Sequence, residues 1–328
     1  MSIAIEATPM NPDGAVHPID VTVTAVRPAA DGTNLYELTR PDGAQLPAAE
    51  PGAHIDLHLP NGMTRQYSLV VPGAFPCSYM LGIKRDPNSR GASRYIFEEM
   101  RIGQALTISA PRNHFPLIAV APHHVLIAGG IGVTPIFAMT QKLRVDGSSF
   151  ELHYAGRSRS QLAFLDQFAD APFAHIHCDD EHKGALLDLV GIITQAPLGS
   201  HFYCCGPLPM LEAFRGATAS IPPERVHVEY FSPKDEASKT GGFVVKLARS
   251  GQEVVVMPGK SILETLRDAG LSLDSSCEEG ICGVCETAVI SGIPDHRDAV
   301  LSDHEHAANS SMMICCSGCK SERLVLDL

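Results

Sequence analysis

Four cysteines constrain this chain more than any other feature: Cys277-x4-Cys282-x2-Cys285, with Cys315 another 30 positions on. A two-iron, two-sulfide centre needs two thiolates on each iron, and the x4–x2 spacing lets one tight loop supply three of them. Gly280 and Gly283 allow that loop to curl and to aim N–H groups at the sulfides. The fourth thiolate arrives from a distant segment and closes the cage. A zinc site would repeat a short C-x2-4-C pair on both sides. Cys316-x2-Cys319 or Cys315-x3-Cys319 imitates such a second pair, but x4–x2 is the iron–sulfur pattern. Cys315 is taken as the fourth ligand, with the adjacent Cys316 as the alternative.

The rest of the chain must feed such a centre, because a cluster carries one electron and does no chemistry itself. With 328 residues, 45% hydrophobic and 19% charged, the chain has room for two or three packed cores. The net charge of -12 disfavours nucleic acid, whose binding rests on Lys and Arg. It suits a partner with a basic docking face, or merely keeps the protein in solution. No run of 18 apolar residues appears, so no membrane partner is expected. The start, MSIAIEATPMNPDGAVHP, has no charged-then-apolar signal and reads as a flexible leader over residues 1–18. A cytoplasmic, reducing location follows, in which ten cysteines are core residues, ligands or redox groups rather than a disulfide framework.

Three folded segments follow the leader. Residues 19–121 alternate polar and apolar over Asp20–Val26 and His54–Leu59, with further strands at Tyr79–Lys84 and Ala105–Ser109 and a helix near Ser93–Met100. Gly and Pro punctuate them, which predicts a small antiparallel β-barrel. Residues 122–231 alternate apolar strands with helices, beginning at Val125–Ala128 and a helix from Pro135, which predicts an α/β domain on a parallel sheet. Residues 232–242, SPKDEASKTGG, read as a linker. Residues 243–328 open with a hairpin around Ser250-Gly251 and a helix whose Ser261 and Glu264 form a capping box and whose Gly270 ends it. This last segment resembles plant-type ferredoxins, which implies an α+β β-grasp fold.

The turn Gly129-Gly130-Ile131-Gly132-Val133-Thr134-Pro135 lies between a strand and a helix. Glycines there let a backbone approach a pyrophosphate, and a helix start favours its charge. Thr134 is placed to cap the helix and Pro135 to occupy its first position. Alone, such a turn serves structure as readily as binding. A second apolar strand runs into Cys204-Cys205-Gly206-Pro207, and an earlier stretch reads Arg65-Gln66-Tyr67-Ser68-Leu69-Val70. In this order the motifs resemble the ferredoxin–NADP reductase superfamily.

That resemblance implies roles. Gly130, Gly132 and Thr134 would lie by the pyrophosphate, and Cys205, Gly206 and Pro207 by the nicotinamide ring. Arg157, in Arg157-Ser158-Arg159, would meet the adenosine ribose. Arg65 would pair with the flavin phosphate. Gln66, Tyr67, Ser68 and Leu69 would line the flavin, and Ile83, Lys84, Gly91 and Ser93 would complete its pocket. Phe231 would stack on the ring. Ser68, Cys205 and Phe231 form the expected catalytic set. The arginines after the second strand would accept a 2′-phosphate, whereas the wider family resemblance implies NADH; NADH is expected, with NADPH as the alternative.

The order flavin, nicotinamide, ferredoxin is similar to the phthalate dioxygenase reductase family, which includes vanillate O-demethylase reductases. Membership implies FMN as the flavin, electron flow from NADH through FMN and the [2Fe–2S] cluster, and a Rieske-type oxygenase as the partner. Two departures stand out: Ala92 where the phosphate loop often has glycine, and the extra cysteines Cys316 and Cys319. A cytochrome as acceptor, or a redox-sensing module, are the competing readings. His304-Glu305-His306 and His123-His124 lack the spacing that puts two ligands on one helical face, and most of the fifteen histidines are expected to be surface or capping residues.

Overall fold

The structure, a computed structural model, describes residues 18–87 and 91–328. The expected leader lies outside the described residues but for His17's neighbour, Pro18. The first part contains β1 (Ile19–Ala30), β2 (Thr33–Thr39), β3 (Ala53–His58), β4 (Thr64–Ser68), β5 (Ser78–Lys84), α1 (Ala92–Glu99), β6 (Ala105–Ile108) and β7 (Arg112–Asn113). The strands run in the order β4-β3-β6-β1-β2-β5, antiparallel throughout, with β7 on β3. A bridge between Leu69 and Leu81 brings the end of β4 onto β5 and closes the sheet into a barrel. Val21, Val23, Tyr36, Leu38, Ile55 and Leu57 point inward at period two and fill it.

The second part contains β8 (His124–Gly129), α2 (Val133–Asp146), β9 (Phe150–Gly156), α3 (Leu165–Phe168), β10 (Ala174–Cys178), α4 (Leu189–Gln195), β11 (His201–Cys205), α5 (Leu208–Ala217) and β12 (Val226–Glu229). Its strands are parallel in the order β10-β9-β8-β11-β12. Strand order reverses at β8, so the crevice outside the carboxyl end of β8 is where such a sheet binds ligands. The strand β8 is buried on both faces, and separate apolar clusters cover each side. The helix α2 starts at Val133, two residues before the expected Pro135, with Gly132 in the capping place and no side-chain cap. The Thr134 hydroxyl instead donates to the Ile131 carbonyl at 3.1 Å.

The third part contains β13 (Phe243–Leu247), β14 (Glu253–Val256), α6 (Ile262–Asp268), β15 (Glu286–Ser291), β16 (Pro294–Asp295), α7 (Asp303–Ala308), β17 (Ser311–Met313), β18 (Gly318–Cys319) and β19 (Arg323–Leu326). The main sheet runs β14-β13-β19-β15-β17, with β13 and β19 parallel at its centre and α6 packed on it. Ser261 and Glu264 make the full capping box of α6, and Gly270 follows the helix with φ 88°. Within the stretch read as a linker, the Ser238 amide donates to the Cys316 carbonyl at 2.7 Å, and Gly242 donates to Val256 at 2.8 Å. The last five residues of that stretch are therefore held against the third part. No helix among the described residues is long and apolar enough to cross a membrane.

Candidate functional site

A cavity of about 880 Å³ opens between the barrel and the carboxyl end of the parallel sheet. From the barrel it is lined by Arg65, Gln66, Tyr67 and Ser68 on β4, by Lys84 at the end of β5, and by Ser93 on α1. From the sheet it is lined by Gly130 and Thr134 after β8, Arg157 after β9, Pro207 after β11, and Phe231 after β12. These residues, spread over 167 positions from Arg65 to Phe231 counted inclusively, face one space. Leu69 and Ile83 do not: both are buried in the barrel core behind the cavity wall. Gly91 caps α1 at φ 113°, a left-handed position that glycine occupies without strain.

Donors in this cavity suit a flavin phosphate and ring. Arg65 and Lys84 bring cationic side chains to one wall. The Ser68 hydroxyl is buried without a hydrogen-bond partner among the described residues, although it borders the cavity. A buried hydroxyl left unpaired costs about 1–3 kcal/mol, which a ligand acceptor would relieve. The Tyr67 phenol is pushed up by burial, so it stays protonated. Ser93 is engaged elsewhere, its hydroxyl accepting from the Asp86 amide at 3.1 Å.

The glycine turn has two jobs that its sequence did not separate. Gly130 has φ 53° and open space at its Cα, so it presents bare backbone to the cavity. Gly132 instead packs on the other turn: a Cβ there would lie 2.2 Å from the Cys205 carbonyl oxygen. Gly206 is similarly placed: a Cβ there would lie 3.1 Å from the Gly129 Cα and 2.8 Å from the Met210 sulfur. Gly132, Cys205 and Gly206 thus sit in the wall rather than on its surface. The Cys205 side chain is fully buried, and its thiol lies 3.9 Å from the Glu229 carboxyl. Burial and that carboxyl push the thiol well up, so it remains protonated. Burial pushes Glu229 itself up to about 8.

The cysteine loop lies next to this cavity. Cys277, Cys282, Cys285 and Cys315 are all buried. The Cys277 thiol is within hydrogen-bonding reach of those of Cys282 and Cys315, and Cys285 meets Cys315. These sulfur contacts, with the Glu279 amide donating to Cys277 at 3.2 Å, hold the Cys277 thiol well below its ordinary range. Glu278, Gly280 and Gly283 all have positive φ (56°, 71° and 74°), which curls the loop around its sulfurs. Cys316 touches the Cys315 thiol but packs beneath Gly280, whose missing Cβ would lie 2.4 Å from its sulfur. Cys319 is further out, its thiol donating to the Ser321 carbonyl at 2.8 Å. Four converging thiols are the donor set a two-iron cluster requires.

Sequence reasoning named Gln66 as a flavin residue but missed its partners and the other residues that join loop to cavity. Gln66 donates to Ser276, the neighbour of Cys277, at 2.6 Å and to Asp56 at 2.7 Å. Arg112 donates to the same Asp56 oxygen at 2.6 Å. His114 hydrogen-bonds the Cys282 backbone. A small cavity of about 100 Å³, bordered by His54, His114, Glu229, Phe231 and Ile281, marks the place where the three parts meet. These contacts join segments far apart in sequence, so no local pattern announces them. Glu229 alone left a trace, as a carboxylate ending the apolar run Val226-His227-Val228.

Two histidine groups draw attention as metal sites: His296 and His306 with Asp298, and His153 and His175 with Glu151. In each the rings stack, at 4.4 Å and 4.8 Å between centroids. In the first group His296 Nδ1 and His306 Nε2 both approach Asp298 Oδ1, at 3.8 Å and 3.2 Å. Glu305 closes a capping box with Ser302 at the start of α7.

Comparisons with known proteins agree with this arrangement. Residues 245–320 match the 2Fe-2S iron-sulfur cluster binding domain family. The chain is 47% identical over 320 residues to the phenoxybenzoate dioxygenase subunit beta of Ectopseudomonas oleovorans, covering 97% of this chain and 100% of that one. It is 40% identical over 298 residues to the phthalate dioxygenase reductase of Burkholderia cepacia, covering 89% and 92%. A solved phthalate dioxygenase reductase, described as a modular structure for electron transfer from pyridine nucleotides to [2Fe-2S], superposes with a TM-score of 0.71 at 38% identity, covering 95% of this chain and 98% of that one.

Proposed function

The chain belongs to the phthalate dioxygenase reductase family, and from that premise we propose that it is the NADH-oxidising reductase component of a Rieske-type oxygenase system in the cytoplasm. Residues 19–121 would hold FMN, 122–231 the nicotinamide nucleotide and 243–328 the cluster, with 232–242 connecting them. The observation that carries this reading is the Gln66 side chain. It borders the large cavity and also bonds the residue beside Cys277.

When bound, the flavin takes up a hydride and gives up electrons singly, which matches a two-electron donor to a one-electron cluster. The chain's own residues set the stage for that. Arg65 and Lys84 neutralise the flavin phosphate, with Ser93 beside them. Ser68 offers the flavin ring its unpaired hydroxyl, and Tyr67 packs against it. Gly130 brings backbone to the pyrophosphate, with Thr134 beside it, while Pro207 shapes the nicotinamide pocket. Cys205, held as a neutral thiol against Glu229, backs that pocket. Phe231, 38% exposed, covers the cavity mouth and must yield to the nucleotide. Cys277, Cys282, Cys285 and Cys315 would ligate the cluster; Cys316, packed beneath Gly280, would back it. Alignment of donor and acceptor in one cavity is the main contribution to rate.

An absorption spectrum of the purified protein, followed during anaerobic addition of NADH, tests this directly. Flavin bands with cluster shoulders, both bleached by NADH, are expected. A protein that binds neither flavin nor iron, or whose bands NADH leaves unchanged, would overturn the proposal. Reconstitution with a Rieske oxygenase and with a cytochrome as alternative acceptors then decides the partner.

A further inference from the structure

Behind the cysteine loop lies a second, separate set of donors. His296 follows β16, Asp298 stands two residues further on, and His306 lies on α7. Asp298 Oδ1 is 3.2 Å from His306 Nε2 and 3.8 Å from His296 Nδ1, and the three atoms lie within 4.8 Å of one another. The Asp298 side chain is fully buried, and that of His296 is 8% exposed. The second carboxylate oxygen, Oδ2, accepts from the Val300 and Leu301 amides at 3.2 Å and 2.8 Å, which leaves Oδ1 to the two rings.

Asn309 assigns the bare nitrogen of His296. Its Nδ2 donates to the Ala307 carbonyl at 3.3 Å, so its Oδ1, 3.3 Å from His296 Nε2, is the acceptor there. The ring proton of His296 therefore sits on Nε2, and Nδ1 holds a lone pair. That Nδ1 is buried and has no hydrogen-bond partner among the described residues. A buried lone pair thus faces a buried carboxylate oxygen, acceptor against acceptor. Burial pushes the His296 imidazole down, which disfavours a second proton in the gap. A proton on His306 Nε2 serves Asp298 alone and does nothing for His296.

We propose that His296 Nδ1, Asp298 Oδ1 and His306 Nε2 form a binding site for one zinc-class divalent cation, distinct from the cysteine cluster. Two imidazoles and a carboxylate suit such an ion, with water as the fourth ligand. Bonds of about 2.0–2.2 Å set tetrahedral ligands about 3.3 Å apart. The His306 edge already has that length, and the His296 edge exceeds it by about 0.5 Å. The rings stack with 4.4 Å between centroids and 20° between planes, so ligation turns His306 toward the carboxylate. His306 is the freest of the three to do so, 21% exposed on a six-residue helix. The bond from His296 to Asn309 is the outer contact that orients a metal-bound imidazole. Lys320, the nearby cation, pairs with Asp295 at 3.8 Å. The role is structural: the Ala299 amide donates to the Gly280 carbonyl at 2.9 Å, so the ion clasps α7 to the segment that braces the cysteine loop.

The test dialyses flavin- and iron-loaded protein, first freed of loosely held metal, against Zn2+, and counts zinc, iron and flavin. X-ray absorption at the zinc edge then reports the neighbouring atoms. Wild type is expected to take up one zinc per flavin, with its iron unchanged and with only nitrogen and oxygen around the zinc. H306A, altered at a part-exposed helix position, is expected to weaken zinc binding by roughly tenfold or more. N309G keeps a residue suited to the left-handed backbone of Asn309, φ 50°, and removes only the outer acceptor; it is expected to weaken binding about tenfold. No zinc uptake by wild type, sulfur neighbours around the zinc, or wild-type affinity in either variant would overturn the inference.

Discussion

Glu229 places an ionisable group, half-buried, where the three parts meet. It ends the strand β12, meets the Cys205 thiol, and borders the small cavity between the three parts. Burial raises its carboxyl from 4.5 to about 8. A folded-state value above the unfolded one means that the native protein holds an extra proton between those limits. The associated stability is complete below about pH 4.5 and is lost as pH rises through about 8. Melting temperature should therefore fall across this window more steeply for wild type than for E229Q, by the equivalent of roughly 1–3 kcal/mol. Melts of both proteins from pH 5 to 9, followed by flavin release, check this; parallel curves would remove Glu229 from the account. The sequence marked Glu229 only as a polar interruption. Its pairing with Cys205 depends on β11 and β12 lying side by side, which strand order alone does not specify.

At the level of elements, the turns were more legible than the strands between them. The capping box of α6, the terminating Gly270 and the cysteine loop each follow from local chemistry that operates within a few residues. Strand β2 was not legible, although it pairs with both β1 and β5. Its stretch Thr33-Asn34-Leu35-Tyr36-Glu37-Leu38-Thr39 buries only Thr33, Tyr36 and Leu38, so polar neighbours dilute the alternation. Strands β16 and β18, two residues each, exist only because the loop before β19 folds back on itself. The cysteine loop shows what its glycines do beyond bending. A Cβ on Gly280 would lie 2.4 Å from the Cys316 sulfur and 3.0 Å from the Asp298 Cα, at φ 71°. On Gly283 it would meet the far ends of side chains, the His114 ring at 3.3 Å and Val300 Cγ1 at 3.6 Å. G280A should accordingly lose at least half its iron per flavin, while G283A, costing about 1–2 kcal/mol in backbone strain, should retain most of it. Iron and sulfide assays normalised to flavin distinguish the two, and equal losses would mean that backbone curl, not packing over Cys316, sets the requirement.

Across the whole molecule, the order of the parts could be read from the order of their motifs, but not how the third seats on the first. That contact is made by Gln66, which the motif presents as a flavin residue, and by Ser276, which no motif presents at all. The bond between them spans 210 positions and is part of a buried set with Asp56 and Arg112. Asp56 is 4% exposed, and its carboxyl is held low by Arg112 and Gln66 against the opposing effect of burial. The set therefore stays charged and paired, and it fixes the cysteine loop at a defined position on β4. Removing the Ser276 hydroxyl leaves Gln66 to Asp56 alone and loosens the seating without touching a thiol. One such hydrogen bond is worth about 0.5–1.5 kcal/mol, which corresponds to a change of roughly two- to tenfold in how often the loop is correctly seated where seating is marginal. S276A should then keep its iron and its rate of flavin bleaching by NADH, while bleaching of the cluster bands and reduction of an external one-electron acceptor slow by a similar factor. Rapid-mixing absorbance at flavin and cluster wavelengths separates these phases. Equal slowing of both would place Ser276 in nucleotide handling, and no slowing of either would show that the seating is held by His114 and its bond to the Cys282 backbone.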